Sequence, residues 1–127
     1  MRHRRHFTLD EARELRAWVL ARVESARAAL RALRTPEVAQ ALRSIDPERG
    51  GGWPGRTAAQ ATLELQRAFA ELHAADVVVR DVVRGLVDFP ALRDGEEVYL
   101  CWLVDEPEIT HWHELDAGFA GRRRITG

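Results

Sequence analysis

Hydrophobic periodicity changes once along this 127-residue chain, close to Asp76, and no other feature restricts its fold as much. Upstream, apolar residues return every three or four positions; downstream they crowd into short β-branched and aromatic runs. Leu15, Val19, Val23, Ala26, Leu30 and Leu33 form the stripe of one long helix. Phe7-Thr8-Leu9-Asp10-Glu11 opens it. Thr8 can accept from the Glu11 amide, Glu11 can reach back, and Phe7 takes the staple position before the cap. Thr35-Pro36 then starts a brief second helix or a turn-rich excursion, with Val38, Leu42 and Ile45 as its apolar face. Asp46-Pro47 and Gly50-Gly51-Gly52-Trp53-Pro54-Gly55 read as a flexible loop. The triple glycine lacks the Lys-Ser/Thr of a phosphate-binding loop. From Arg56 to Ala75 a second long helix carries Ala61, Leu65, Phe69 or Ala68, Leu72 and Ala75 in register. His73 at its end suits the negative pole of the helix.

Beyond Asp76 the reading is extended. Val77-Val78-Val79 and Asp81-Val82-Val83 fit a strand, and Leu86 to Phe89 a second one closed by Pro90. After an Asp94-Gly95 turn, Glu97 to Val104 is the strongest strand signal. Asp105-Glu106-Pro107-Glu108 turns it back onto Ile109 to Leu115. Helices first and strands second predict an α+β fold, with a long antiparallel helical hairpin packed on a small antiparallel β-sheet of about three to four strands. One domain is expected over residues 1–127, helical from about 8 to 75, β from about 77 to 116, with a basic C-terminal tail.

Composition narrows the setting. A single cysteine excludes a disulfide framework and a Cys-rich zinc site, and suits a reducing compartment. No apolar run reaches the roughly 18 residues of a membrane span, and the basic start MRHRRHFTLDEA has no apolar stretch behind it. A cytoplasmic location is therefore expected. Net charge is −1, yet residues 1–34 hold nine arginines whereas residues 94–116 hold eight acidic groups and no arginine. Complementary layers explain that asymmetry. A nucleic-acid face is the competing explanation, disfavoured because such domains are strongly basic overall. Arg27, Arg31 and Arg34 read as a solvated ridge near the end of the first helix.

Several short motifs carry a resemblance. They are Phe7-Thr8-Leu9-Asp10-Glu11-Ala12, Val78-Val79-Arg80-Asp81, Arg84-Gly85-Leu86-Val87-Asp88-Phe89-Pro90-Ala91, Val98-Tyr99-Leu100-Cys101-Trp102, Glu106-Pro107-Glu108-Ile109, and Trp112-His113-Glu114-Leu115-Asp116-Ala117-Gly118-Phe119-Ala120-Gly121-Arg122. With them the chain resembles the bacterial domain-of-unknown-function 2203 family over most of its length. That resemblance implies a small cytoplasmic protein with two helices and a β region, and implies no particular activity. His111 stands where the family pattern has an aromatic residue, so the resemblance does not extend to a His-x-His pair.

The chemistry-bearing residues cluster late. On a strand, His111 and His113 point to one face, so both imidazoles can serve a divalent transition metal, zinc or iron, once a carboxylate joins them. Asp88, isolated in the apolar Leu86-Val87-Asp88-Phe89 run, is the chosen third ligand; Glu114 and Asp116 have the opposite parity. A buried carboxylate must be paired, and Arg80, Arg84 or Arg122 is the natural partner. An ion pair that fixes strand register competes with catalysis as the reason for Asp88. Arg80, Glu114, Asp116 and Arg122 are the candidates for a small-ligand or anion site. Gly118-Phe119-Ala120-Gly121 ahead of Arg122-Arg123-Arg124 is a possible backbone nest. Cys101 reads as an inert core residue. Val98, Leu100 and Trp102 face one side of their strand, Tyr99, Cys101 and Leu103 the other. A sheet apolar on both sides predicts a second copy over one of them. The expected function is a cytoplasmic binding or interaction module acting as a homodimer, with a small ligand conceivable and no membrane partner. The alternatives are a metal-dependent enzyme or metal-binding protein, and third a nucleic-acid accessory protein.

Overall fold

Thr8 and Glu11 trade hydrogen bonds at the first helix as their spacing requires: the Glu11 amide donates to Thr8 Oγ1 at 3.1 Å and the Thr8 amide to Glu11 Oε1 at 2.8 Å. From that cap the computed structural model, which describes residues 1–43 and 52–126, runs through α1 (Leu9–Leu33), α2 (Pro36–Arg43) and α3 (Gly52–Ala74). Five strands follow: β1 (Val78–Asp81), β2 (Leu86–Arg93), β3 (Glu96–Leu103), β4 (His111–Glu114) and β5 (Arg123–Arg124), with a 3₁₀ turn at Phe119–Gly121. They form one antiparallel meander in the order β1-β2-β3-β4-β5. No helix of the described residues is long and apolar enough to cross a membrane.

The α+β class stands, with several corrections of detail. The helical layer has three helices, and a simple two-helix hairpin is not what it shows. Ile45, the Asp46-Pro47 turn and Gly50-Gly51 lie outside the described residues. Gly52 to Gly55, expected in the loop, already belong to α3. Pro54 is tolerated there because the first amides of a helix have no intrahelical acceptor to lose. β2 runs through Pro90 to Arg93 instead of stopping at the proline. β1 pairs with β2 only from Leu86 to Asp88, and the Pro90 carbonyl accepts from the Phe7 amide at 2.7 Å. The missing donor of Pro90 therefore faces the open edge and costs no ladder bond to β3. Finally, the basic tail is partly structured, since Arg123 and Arg124 add a fifth strand opposite Trp112 and His111.

Alternation along the strands sorts side chains into two faces. Val87, Phe89, Ala91, Val98, Leu100, Trp102 and Trp112 pack with Ala12, Val19 and Val23 of α1, Leu72 of α3 and Ile109. Phe7 sets its ring edge-on to Phe89 with centroids 5.3 Å apart. The facing surfaces of α1 and α3 carry small residues, Ala26 and Ala29 on one, Ala58, Ala61 and Ala68 on the other, all buried. Ala68 fills the inward place and Phe69 is 38 % exposed.

Arg27 departs from the solvated ridge. Its guanidinium donates to the carbonyls of Val82 and Val83 at 3.2 and 3.0 Å and pairs with Glu24 and Asp105. It thereby ties α1 to the β1–β2 turn. That turn needs Gly85, whose φ is +73° and where a Cβ would meet Val104 Cγ2 at 2.5 Å. Phe89 is fully buried at the centre of the helix-facing side. Phe89→Ala is expected to cost about 3–5 kcal/mol, read as a lower urea midpoint at an unchanged slope.

Candidate functional site

Pleating sends Asp88 of β2, Tyr99 and Cys101 of β3, and His111 and His113 of β4 to the sheet face opposite α1. Register then arranges them. Val78, Asp88, Cys101 and His111 form one row across four strands, while Pro90, Tyr99 and His113 form the next. Asp88 and His111 are thus two strands apart, about 10 Å at sheet spacing, with Cys101 between them. His113 closes on Asp88 instead. It reaches diagonally from the neighbouring row, and its Nε2 lies 3.1 and 3.0 Å from the two Asp88 oxygens.

Arg80 of β1 completes the arrangement by donating from Nε to Asp88 Oδ2 at 2.9 Å, its guanidinium carbon 4.8 Å from the centre of the Tyr99 ring. Asp88 and His113 are 1 % and 2 % exposed and Cys101 is fully buried. One ligand atom from each of Asp88, Cys101 and His113 lies within 4.8 Å of the other two, the only such group found among the described residues.

Hydrogen bonding assigns the protons. His113 Nδ1 is 2.6 Å from the Glu114 carbonyl, which can only accept, so Nδ1 carries a proton. Nε2 faces the Asp88 carboxylate, which Arg80 also holds. Burial, reinforced by the Asp88 charge, pushes the thiol up to about 12. What the three side chains can do together is offer their ligand atoms to a divalent cation, with loss of the thiol proton. The Glu114 carbonyl on His113 and Arg80 on Asp88 are the outer contacts by which metal ligands are commonly oriented.

The other expected site residues are dispersed. His111 is half-buried, its Nδ1 2.9 Å from Thr110 Oγ1, and burial followed by the Arg122 charge lowers its pKa. Arg122 turns inward, 2.8 Å from Glu106 Oε1 and 3.3 Å from the Cys101 carbonyl, so it is already spent as an anion clamp. Glu114 lends the cluster its backbone carbonyl while its side chain is exposed; Asp116 is also exposed and meets Arg2 at 3.3 Å. Of the residues in this cluster, Asp88, His113 and Arg80 were expected at a site, and Cys101 was expected to be an inert core residue. The signal for Cys101 lay in its strand parity, which sets it on the same face as Tyr99, but only the register shows that it sits opposite Asp88.

The N-terminal segment lies over this face. His3 Nε2 is 2.5 Å from the Tyr99 hydroxyl, with the two rings edge-to-face, and Tyr99 is 1 % exposed. The face that suggested a second copy is therefore covered by the chain itself, and it supplies no argument for a dimer. Glu97 anchors the segment, accepting from the amides of Arg2 and His3 and from His6 Nε2. Burial opposes its charge, but the His6 bond and the two amides outweigh it and hold the carboxyl at about 2, against an ordinary 4.5.

Compared with known proteins, residues 5–125 match the model of a family described as an uncharacterized conserved protein (DUF2203). No curated protein and no solved structure matches.

Because the Glu97 pKa is depressed on folding, its contribution is complete above 4.5 and is lost as pH falls toward about 2. Wild type is expected to lose more stability than Glu97→Gln across that window, measured as urea midpoints at stepped pH. A gap between the two proteins that stays constant would contradict the anchor.

Proposed function

Because the chain belongs to the family described as an uncharacterized conserved protein (DUF2203), its function has to be read from its own site. We propose that it is a binding protein for a divalent transition metal, held by Asp88, Cys101 and His113. One observation carries this reading: three buried side chains of different ligand type converge with their ligand atoms mutually within 4.8 Å. The proposal keeps two of the expected ligands and takes Cys101 in place of His111. A thiolate beside an imidazole and a carboxylate suits zinc best, with ferrous iron second. Three protein ligands leave one position of a four-coordinate shell open. A thiol ligand is preserved by a reducing compartment such as the cytoplasm.

A second reading has its own observation, the 2.9 Å ion pair between Arg80 and Asp88. Arg80, Asp88 and His113 come from β1, β2 and β4, so the network can serve to fix strand register without any metal.

Chelator-stripped protein made without a histidine tag separates the two. On titration with cobalt it is expected to bind about one equivalent, release protons and develop a sulfur-to-cobalt charge-transfer band. Cys101→Ser should lose the band and weaken zinc binding by more than the roughly 10–100-fold cost of losing an outer contact. His111→Ala should bind as wild type does. A wild type that takes up no metal, while Asp88→Asn and His113→Gln each lower stability by about 3–5 kcal/mol, would leave the register network as the role of the cluster.

A further inference from the structure

We infer that residues 1–6 form a strap that gates the metal site: the cation enters and leaves when the strap lifts off the sheet, and Glu97 is its latch. The inference rests on the metal reading above and adds the route by which the site is loaded.

Burial requires that something move. Asp88, Cys101 and His113 are all buried, so a hydrated ion cannot reach them through the closed protein. The strands beneath are fixed by their own ladders. Beside Cys101, the turn at Phe119–Gly121 is pinned by Arg122, which bonds Glu106 and the Cys101 carbonyl, and by Arg84 and Arg122 against the Phe119 ring. The strap is held differently. Phe7 is the first buried residue of the chain, and residues 1–6 bury no apolar side chain. Glu97 takes the amides of Arg2 and His3 and the His6 ring, His3 meets the Tyr99 hydroxyl, and Arg2 meets Asp116. Water can replace polar partners of this kind, so such a segment opens at low cost while the core stays folded.

What the strap covers leads directly to the ligands. Tyr99 lies beneath His3, and its hydroxyl is shared by His3, Arg2 and Arg80. The Tyr99 ring packs on His113 with centroids 5.4 Å apart, and Arg80 holds Asp88. Lifting the strap therefore bares the ring that lies against one ligand. It also withdraws His3 and Arg2 from the hydroxyl beside the guanidinium that holds another. An ion behind the closed strap is retained by the same contacts that keep one out. The gate thus sets the rates of loading and release, and the three ligands set the affinity.

Stopped-flow mixing of chelator-stripped wild type with cobalt tests this. The sulfur-to-cobalt band is expected to grow at a rate that levels off as cobalt is raised, because opening then limits uptake. Glu97→Gln should raise that ceiling about tenfold, the scale of one lost charge-assisted hydrogen bond, and speed extraction by EDTA equally, with Kd unchanged. Cys101, the single cysteine, gives a readout that needs no metal. A small thiol reagent should label metal-free Glu97→Gln about tenfold faster than wild type. Val23→Ala, which loosens the core away from the strap, should label as wild type does. Labelling accelerated equally in both variants would assign exposure to global unfolding and overturn the gate. Cobalt uptake quickened by Phe119→Ala and unmoved by Glu97→Gln would overturn it too, while leaving the metal site standing. Failure of wild type to take up cobalt, with Glu97→Gln still labelled faster, would instead overturn the metal reading, so the two failures are told apart.

Discussion

A carboxylate withdrawn from water must find donors inside the protein or fail to stay charged. Asp88, 1 % exposed in the middle of a five-stranded sheet, meets that condition through Arg80 on one side and His113 on the other. The solution has consequences beyond one residue. Its donors come from β1 and β4, so a single buried charge ties together strands that are not neighbours, with β2 and β3 between them. A slip of β4 by one residue would turn His113 to the helix side and leave Asp88 with a single donor. The polar cluster and the pairing of the sheet are therefore one arrangement.

The same economy governs the rest of the charge. The arginines of the first half and the acids of residues 94–116 find each other across the fold: Arg2 with Asp116, Arg13 and Arg16 with Glu108, Arg27 with Asp105. Most of these pairs are partly solvated and individually worth little. Together they bring the arginine-rich N-terminal third and the acidic 94–116 segment into contact across the fold. Arg27 goes further, since its guanidinium closes the carbonyls of the β1–β2 turn that leads into Asp88.

Cys101 holds an unusual position within this scheme. It is a fully buried thiol, its pKa pushed up to about 12 by burial and the Asp88 charge. A cation would change that by supplying the positive charge that burial withholds. The ligand role proposed for this residue follows from what it faces, Asp88 and His113.

The helix start at Phe7-Thr8, the change of period near Asp76, the central strand and the paired status of Asp88 were all legible in the sequence, because each follows from spacing along a few consecutive residues. The common face of His111 and His113 was legible too, since a strand alternates whatever it pairs with. The choice between those histidines was not. It depends on register, which places Cys101 in the row between Asp88 and His111 and lets His113 reach across the diagonal. Coverage of the second sheet face by His3 and Arg80, the continuation of β2 through Pro90 and the fifth strand from Arg123 and Arg124 likewise came from the tertiary structure alone. Periodicity reports the face a side chain takes; contacts between residues 25 or 96 positions apart, such as His113 with Asp88 or His3 with Tyr99, exist only once the sheet has closed.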